Sequence, residues 1–214
     1  MKKLLHKLAN LINKRDGKMI IGISGHGASG KTTFANNLVK FLGNDVNYIN
    51  TDPYIITDVR KYTTIDYEYN NEKYSYKMTA CHPAAHNLLA LERDIKMIKE
   101  DLDFYTIDTH YLKSTLISSR NNINIVEGMS VAFLNPKLFD LTIYLYTDGE
   151  TELIRRGVRD VSERETDFNY IKQSHEQRRI QYNLFMHAYH KNFDIVIKNS
   201  NEEVILEKCE IEVT

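Results

Sequence analysis

Gly22-Ile23-Ser24-Gly25-His26-Gly27-Ala28-Ser29-Gly30-Lys31-Thr32-Thr33 is the stretch on which the fold of this chain turns. From Gly25 to Thr32 it satisfies G-x-x-x-x-G-K-[ST] in full, a pattern in which backbone N–H groups turn inward around phosphates. Four of the chain's nine glycines fall between positions 22 and 30, where side chains would obstruct that turn. The helix N-terminus that follows adds partial positive charge. Lys31 is placed to reach the β- and γ-phosphates and Thr32 to ligate Mg²⁺. The candidate nucleotide-binding positions are therefore Gly25, His26, Gly27, Ala28, Ser29, Gly30, Lys31, Thr32 and Thr33.

Both flanks of this loop carry the elements it needs. Met19-Ile20-Ile21-Gly22-Ile23 is a short apolar, β-branched run, as expected of a buried parallel strand. A helix is predicted from about Lys31 to Leu42, with Phe34, Leu38, Phe41 and Leu42 on one face and Gly43 as its stop. Val46 to Ile49 reads as a second strand that delivers Asp52 to its carboxyl end. Residues 54 to 80 hold six tyrosines without clear periodicity, and a loop-rich insertion is expected there. Pro83 opens a predicted helix through Leu88, Leu89, Leu91, Ile95 and Ile98. Strands follow at 123–126, 141–145 and 193–197, with helices near 149–160 and 168–191, and 204–213 is open between helix and strand. Alternating strands and helices imply a mostly parallel sheet flanked by helices on both faces, a three-layer α/β fold.

A chain of 214 residues, 42% of them hydrophobic, suits one domain over 1–214. Its 28 basic and 29 acidic residues set up no field that would attract nucleic acid. Cys81 and Cys209 belong to no paired spacing, which fits a reducing cytoplasm. Within residues 1–17, Lys2, Lys3 and Lys7 interrupt Leu4, Leu5, Leu8, Leu11 and Ile12 every few positions. That spacing describes an amphipathic helix packed on the domain, with surface membrane contact as the competing reading and no membrane span. Asn13-Lys14-Arg15-Asp16 spells N-K-x-D, but it lies upstream of the phosphate loop and no D-x-x-G accompanies it, which argues against a guanine switch.

In an open parallel sheet, ligands sit beyond the carboxyl ends of the strands, so acids there are the ones to weigh. Asp52 ends the second strand and Glu127 ends Ile123-Asn124-Ile125-Val126. A carboxylate near the γ-phosphate can accept the proton of an attacking hydroxyl or serve Mg²⁺; Asp52 is assigned as base and Glu127 to the metal beside Thr32. Arg155, Arg156, Arg159 and Arg164 crowd together with Asp160 and Glu163 at helical spacing. They form either a phosphate-gripping lid or a solvated face with internal ion pairs. Cys81, His82 and His86 are interrupted by Pro83 and carry no zinc spacing.

Together these residues make the chain resemble the uridine kinase and phosphoribulokinase family over roughly residues 18–200. The loop from Gly22 to Thr33 is similar to that family's longer form of the phosphate motif. Asp52-Pro53-Tyr54 resembles its D-x-F-Y, whose Asp is the catalytic base; His82-Pro83 followed by Ala85 resembles D-H-P-x-A. Tyr105 and His110 keep the spacing of a base-contacting pair, and Arg155 through Arg164 resembles the lid R-R-x-x-R-D-x-x-E-R-G-R, which favours the lid reading. The resemblance implies ATP and Mg²⁺ as cofactors and a lid at about 155–168, with residues 54–80 on the acceptor side. Lys31, Asp52, Arg159 and Arg164 are then catalytic, Arg155 touches nucleotide, and Tyr54, His82, Tyr105, His110 and Arg156 touch the acceptor. The acceptor is a small molecule, a nucleoside 5′-hydroxyl or another small alcohol such as a vitamin precursor or sugar. An ATP-binding switch without an acceptor is the reading from another class, and a homo-oligomer is left open. Four positions depart from the pattern: Cys81 stands in place of the Asp that contacts ribose, Thr106 follows Tyr105 in place of Asp, and Glu165 and Thr166 replace the final lid Gly and Arg. The departures fall mostly on the acceptor side.

Overall fold

The amphipathic N-terminal segment forms α1 (Lys2–Asn13), which buries Leu5, Leu8, Ala9 and Ile12. A computed structural model describes residues 1–43, 45–164, 167–201 and 203–211, and of residues 161–164 the helical backbone alone. β1 (Met19–Ser24) is buried at all six residues and runs directly into the phosphate loop and α2 (Lys31–Leu42). Gly43, with φ at 100°, ends that helix as predicted. Phe41 is an exception on the predicted face: it is exposed and packs at a tilt against His6 of α1, ring centroids 4.5 Å apart. β2 (Val46–Asn50) follows and leads into a 3₁₀ turn at Asp52–Tyr54.

The segment expected to be loop-rich is in fact structured. After α3 (Thr57–Tyr62), strands β3 (Thr64–Tyr69) and β4 (Glu72–Lys77) make an antiparallel hairpin. Asn70 and Asn71 both take positive φ, 52° and 64°, as a two-residue hairpin turn requires. The period of two was present in Ile65, Tyr67 and Tyr69 alternating with Thr64, Asp66 and Glu68. Pro83 opens only a 3₁₀ turn, Pro83–Ala85; the helix proper, α4 (Leu88–Lys99), starts where Asn87 accepts a bond from Ala90 N–H. Leu89, counted toward its apolar face, is 81% exposed.

β5 (Phe104–Tyr105) and β6 (Leu116–Ile117) form a small ribbon that the sequence did not announce. β7 (Ile123–Glu127), β8 (Leu141–Tyr146), α5 (Gly149–Arg164) and α6 (Phe168–Phe185) fall where expected, except that α6 gives way to a 3₁₀ turn at His187–Asn192. β9 (Ile195–Asn199) is followed by β10 (Val204–Cys209), so the open segment at the end is a strand, antiparallel to β9.

The sheet order is β10-β9-β8-β1-β7-β2, with every pair parallel except the edge pair of β10 and β9. Alternation along the strands divides the apolar side chains between two faces. Ile21, Ile23, Ile125, Ile143 and Ile197 pack under α1 and α2, whereas Ile20, Ile49, Val126, Tyr144 and Val196 pack with α4 side chains and with Tyr182 of α6. Each parallel strand therefore ends on the same edge, and the register pairs Ile23 with Glu127 and Asn50 with Glu127. That edge is where a doubly covered sheet places its ligand. No described helix is long and apolar enough to cross a membrane.

Candidate active site

At the end of β1 the chain passes through Gly25 at φ 147°, Ala28 at φ 63° and Gly30 at φ 92°. A Cβ on Gly25 would lie 1.8 Å from the Leu145 carbonyl oxygen, so that position admits only glycine. The resulting loop is held from outside: Asn199 Nδ2 donates to Ser29 O at 2.8 Å, and its own side chain fills the space a Cβ on Gly30 would claim. Inside, the Ser29 hydroxyl is buried and has no hydrogen-bond partner among the described residues. An orphaned hydroxyl beside the open N-terminus of α2 is what a phosphate-bearing ligand would satisfy, and the loop fits a nucleoside triphosphate on that ground.

His26 takes a different part from the one expected of it. Its ring is 1% exposed and packs 4.5 Å from the Tyr182 ring. Thr147 N–H donates to Nε2 at 3.0 Å, which leaves the proton on Nδ1, 2.8 Å from Gly27 O and 3.5 Å from a Glu152 oxygen. His26 therefore ties the loop to its neighbours, and only its backbone is available to phosphate.

Lys31 and Thr32 converge on Glu127. The Thr32 hydroxyl donates to the carboxylate at 3.2 Å and Lys31 Nζ lies 3.4 Å away, while Glu127 itself is 1% exposed. Tyr48, which sequence reasoning passed over, donates its hydroxyl to Glu127 Oε2 at 2.7 Å. Burial, then the Glu127 charge and hydrogen bond, pushes that phenol well above its ordinary range and keeps it a donor. Among the described residues no group of three or more His, Cys, Asp or Glu could hold a metal unaided. One hydroxyl and one carboxylate next to a phosphate cradle suit Mg²⁺, which keeps water and phosphate oxygens in its remaining positions.

Asp52 stands at the end of β2, and its charge acts on Tyr48 and on Arg60. Its side chain makes no hydrogen bond or ion pair with a described residue, which leaves both oxygens open to a ligand. Cys81 is buried; burial first, then Glu152, pushes its thiol up to about 11, so it is neutral at ordinary pH.

A second hub lies under α5. Glu152, 2% exposed, accepts from Arg156 Nε at 2.8 Å and from Arg179 Nη1 at 3.0 Å, besides facing His26. Burial works to raise its pKa, but the bonds and charges of His26 and Arg156 outweigh it and hold the carboxyl well below the usual range. The hub carries Arg156 onto the loop, because a Cβ on Gly27 would sit 2.3 Å from Arg156 Nη2. Glu152 and Arg179 were not singled out from sequence; the i, i+4 spacing of Glu152 and Arg156 was the available signal.

The remaining predicted positions scatter. Arg155 lies by Gly30 and donates to Asn201 Oδ1 at 3.2 Å. Arg159 pairs with Asp160 at 2.7 Å, and the side chain of Arg164 lies outside the described residues. Tyr54 is corrected: it is 1% exposed, its hydroxyl donates to buried Asp94, and no surface remains for an acceptor. His82 caps the Pro83–Ala85 turn and packs edge-on against Phe185. Tyr105 is 70% exposed on β5, and His110 lies exposed beside Tyr111, with ring centroids 4.9 Å apart. Among the described residues, no hydrogen bond or ring contact joins those two to each other.

A family model described as Phosphoribulokinase / Uridine kinase family matches residues 20–205. A uridine kinase of Lactobacillus helveticus is 28% identical over 200 residues, covering 90% of this chain and 92% of that protein. A uridine kinase of Borreliella burgdorferi is 31% identical over 189 residues, covering 83% and 85%. Among solved structures, phosphoribulokinase from Rhodobacter spheroides superposes with a TM-score of 0.60 at 16% identity, over 86% of this chain and 71% of that one, a likeness of fold.

Proposed function

Because the chain belongs to the phosphoribulokinase and uridine kinase family, we propose that its phosphate loop, Glu127 and Asp52 act together in moving the γ-phosphoryl group of ATP to a small hydroxyl-bearing molecule. Family membership makes the chain an ATP-dependent phosphotransferase resembling uridine kinase. The observation that carries the residue assignment is the meeting of Lys31 and Thr32 on buried Glu127, at the carboxyl edge of a parallel sheet.

Bound Mg-ATP supplies the transferable group and the negative charge that has to be offset. Thr32 and Glu127 would hold the metal, and Tyr48 orients the Glu127 carboxylate by its hydrogen bond. Lys31 places a point charge on the β- and γ-phosphates. Asp52, with both oxygens free, takes the proton of the attacking hydroxyl. Arg156, already against Gly27, adds a planar guanidinium to the transferring phosphate, with Arg155, Arg159 and Arg164 on the same helix as a lid over about 155–168. Residues 1–214 are read as one kinase unit.

Uridine is the first acceptor to try, since curated relatives carry that name. A non-nucleoside alcohol is favoured by one observation: Cys81 is a buried, neutral thiol at the position where the family resemblance calls for a carboxylate against ribose. A panel of nucleosides and small alcohols with Mg-ATP, read by ADP release, tests the reading. Acceptor-dependent release supports it; a constant, acceptor-independent hydrolysis across the panel contradicts it.

A further inference from the structure

A single buried carboxylate under α5 takes two arginines from two different helices. Glu152 lies in the first turn of α5, where the helix dipole favours a negative charge, and it is 2% exposed. Its Oε1 accepts from Arg156 Nε at 2.8 Å and its Oε2 from Arg179 Nη1 of α6 at 3.0 Å, so each oxygen has its own guanidinium. Arg179 is anchored on further groups: the same Nη1 donates to Thr147 O at 3.2 Å, and the guanidinium lies 4.9 Å from the centroid of the Tyr182 ring. His26 reaches the hub from the phosphate loop, with Nδ1 3.5 Å from Glu152 Oε2.

Being held at Nε decides what the rest of Arg156 can do. Its terminal nitrogens are not spent on Glu152: Nη2 stands over Gly27, 2.3 Å from where a Cβ there would be, and Nη1 is 3.9 Å from Asp160 Oδ2. Asp160 in turn takes Arg159 at 2.7 Å. Three guanidiniums, those of Arg156, Arg159 and Arg179, therefore face two carboxylates, and one positive charge is left in excess beside the phosphate loop. The Arg156 side chain is only 13% exposed, so it has little room to take another course. Without Arg179, the Glu152 charge would be matched by Arg156 alone, and the field that Arg156 offers a phosphate would be largely cancelled.

We propose that Glu152 is a positioning residue for phosphoryl transfer: it fixes Arg156 by Nε so that the terminal nitrogens face the transferring phosphate, while Arg179 offsets the carboxylate charge. The setting is measured from the loop itself, because Thr147 N–H donates to His26 Nε2 and the opposite ring nitrogen lies by both Gly27 O and Glu152. A guanidinium fork held in this way meets a phosphate without first losing side-chain freedom. Glu152 touches neither substrate nor metal and acts through Arg156. The proposal rests on the kinase reading above, in which Arg156 meets the phosphate in transfer.

Mg-ADP with aluminium fluoride stands in for ADP and the phosphoryl group in transfer, and Mg-ADP alone is its reference. The affinity of the full chain for each is read by titration calorimetry, and wild type should prefer the aluminium fluoride complex. Glu152→Gln keeps the shape and removes the charge; it should cut that preference by about 10-fold or more and leave the affinity for Mg-ADP within about twofold. Arg156→Ala should do the same, and adding Glu152→Gln to Arg156→Ala should change the preference by no more than about twofold, as expected of a residue that acts through another. Glu152→Asp, which keeps the charge, should restore part of the loss. Circular dichroism checks the fold of each variant. If Glu152→Gln fails to fold, Arg179→Gln carries the same comparison: its loss of preference should likewise vanish in the Arg156→Ala background. An unchanged preference in Glu152→Gln, a loss of equal size with and without Arg156, or an equal loss for both ligands would each overturn the proposal. Equal affinity of wild type for the two ligands would overturn the kinase reading itself, and the proposal with it.

Discussion

Asp52 and Glu127 are both acids at strand ends, yet their surroundings set them apart. Glu127 is enclosed by Thr32, Lys31 and Tyr48, whereas the Asp52 carboxylate bonds to no described residue. A carboxylate held by a hydroxyl, an ammonium and a phenol is suited to a metal; one without partners is suited to a proton. Asp52→Asn should therefore lower kcat by about 10² or more and leave ATP affinity near the wild-type value, as steady-state kinetics and nucleotide titration would show. Loss of ATP binding with intact turnover at saturation would exchange the two roles. Cys81 makes the second residue-scale prediction. Cys81→Asp restores the carboxylate that the family resemblance places against ribose, so uridine use should improve by about tenfold in kcat/KM. Positions in the phosphate loop were legible because their chemistry is backbone chemistry, written in glycines. Tyr54 was not: its motif position resembled a binding residue, while its hydroxyl is taken by Asp94, 40 positions away in sequence.

Elements meet across the cleft through a few buried polar side chains. Gln181 of α6 is fully buried; it accepts from Thr79 N–H at 2.9 Å and donates to Lys77 O at 3.0 Å, so it fixes the strand end that leads to Cys81. Tyr67 of β3 adds a bond to Gln177 at 2.6 Å. Gln181→Leu keeps the volume but strands two backbone groups, a cost of about 1–3 kcal/mol. Urea unfolding should report that loss, and the KM of the acceptor should rise more than that of ATP, because the wall it supports belongs to the acceptor side. Equal changes in both KM values would mean that Gln181 serves the fold alone. Strand β1 and helix α2 could be read from the sequence with their boundaries because apolar period and glycine punctuation agreed. The β3–β4 hairpin was obscured because its apolar positions are mostly tyrosines, half-buried against a helix distant in sequence, and the Asn70-Asn71 turn lacks glycine.

His86 gives the whole molecule a pH sensitivity whose sign can be worked out. His86 is 6% exposed, with Nε2–H on Ala80 O and Nδ1 accepting from Ser130. Burial, the largest influence, lowers its pKa from 6.5 to about 4. The unfolded chain then binds more protons than the folded one between those values, so the contribution of a neutral His86 is complete above pH 6.5 and is lost as pH falls toward 4. About 3 kcal/mol is at stake. Urea midpoints measured from pH 7 to 4 should fall, and His86→Gln should flatten that part of the slope; an unchanged slope would remove His86 as its source. At this scale the three-layer, mostly parallel architecture was accessible from the alternation of strands and helices, while the strand order was not. The site was accessible only as far as motif residues reach, since Glu152 and Tyr48 acquire their roles from partners that folding brings together.

Phosphorus NMR of a mixture of Mg-ATP, an acceptor selected from the panel, and either wild type or Lys31→Ala is the most direct measurement of the central claim. Transfer predicts that the γ-phosphate signal of ATP is replaced by a phosphate monoester on the acceptor, in step with ADP, and that Lys31→Ala, folded by its circular dichroism, forms none. Inorganic phosphate as the sole product with every acceptor, or an undiminished rate in Lys31→Ala, would contradict it.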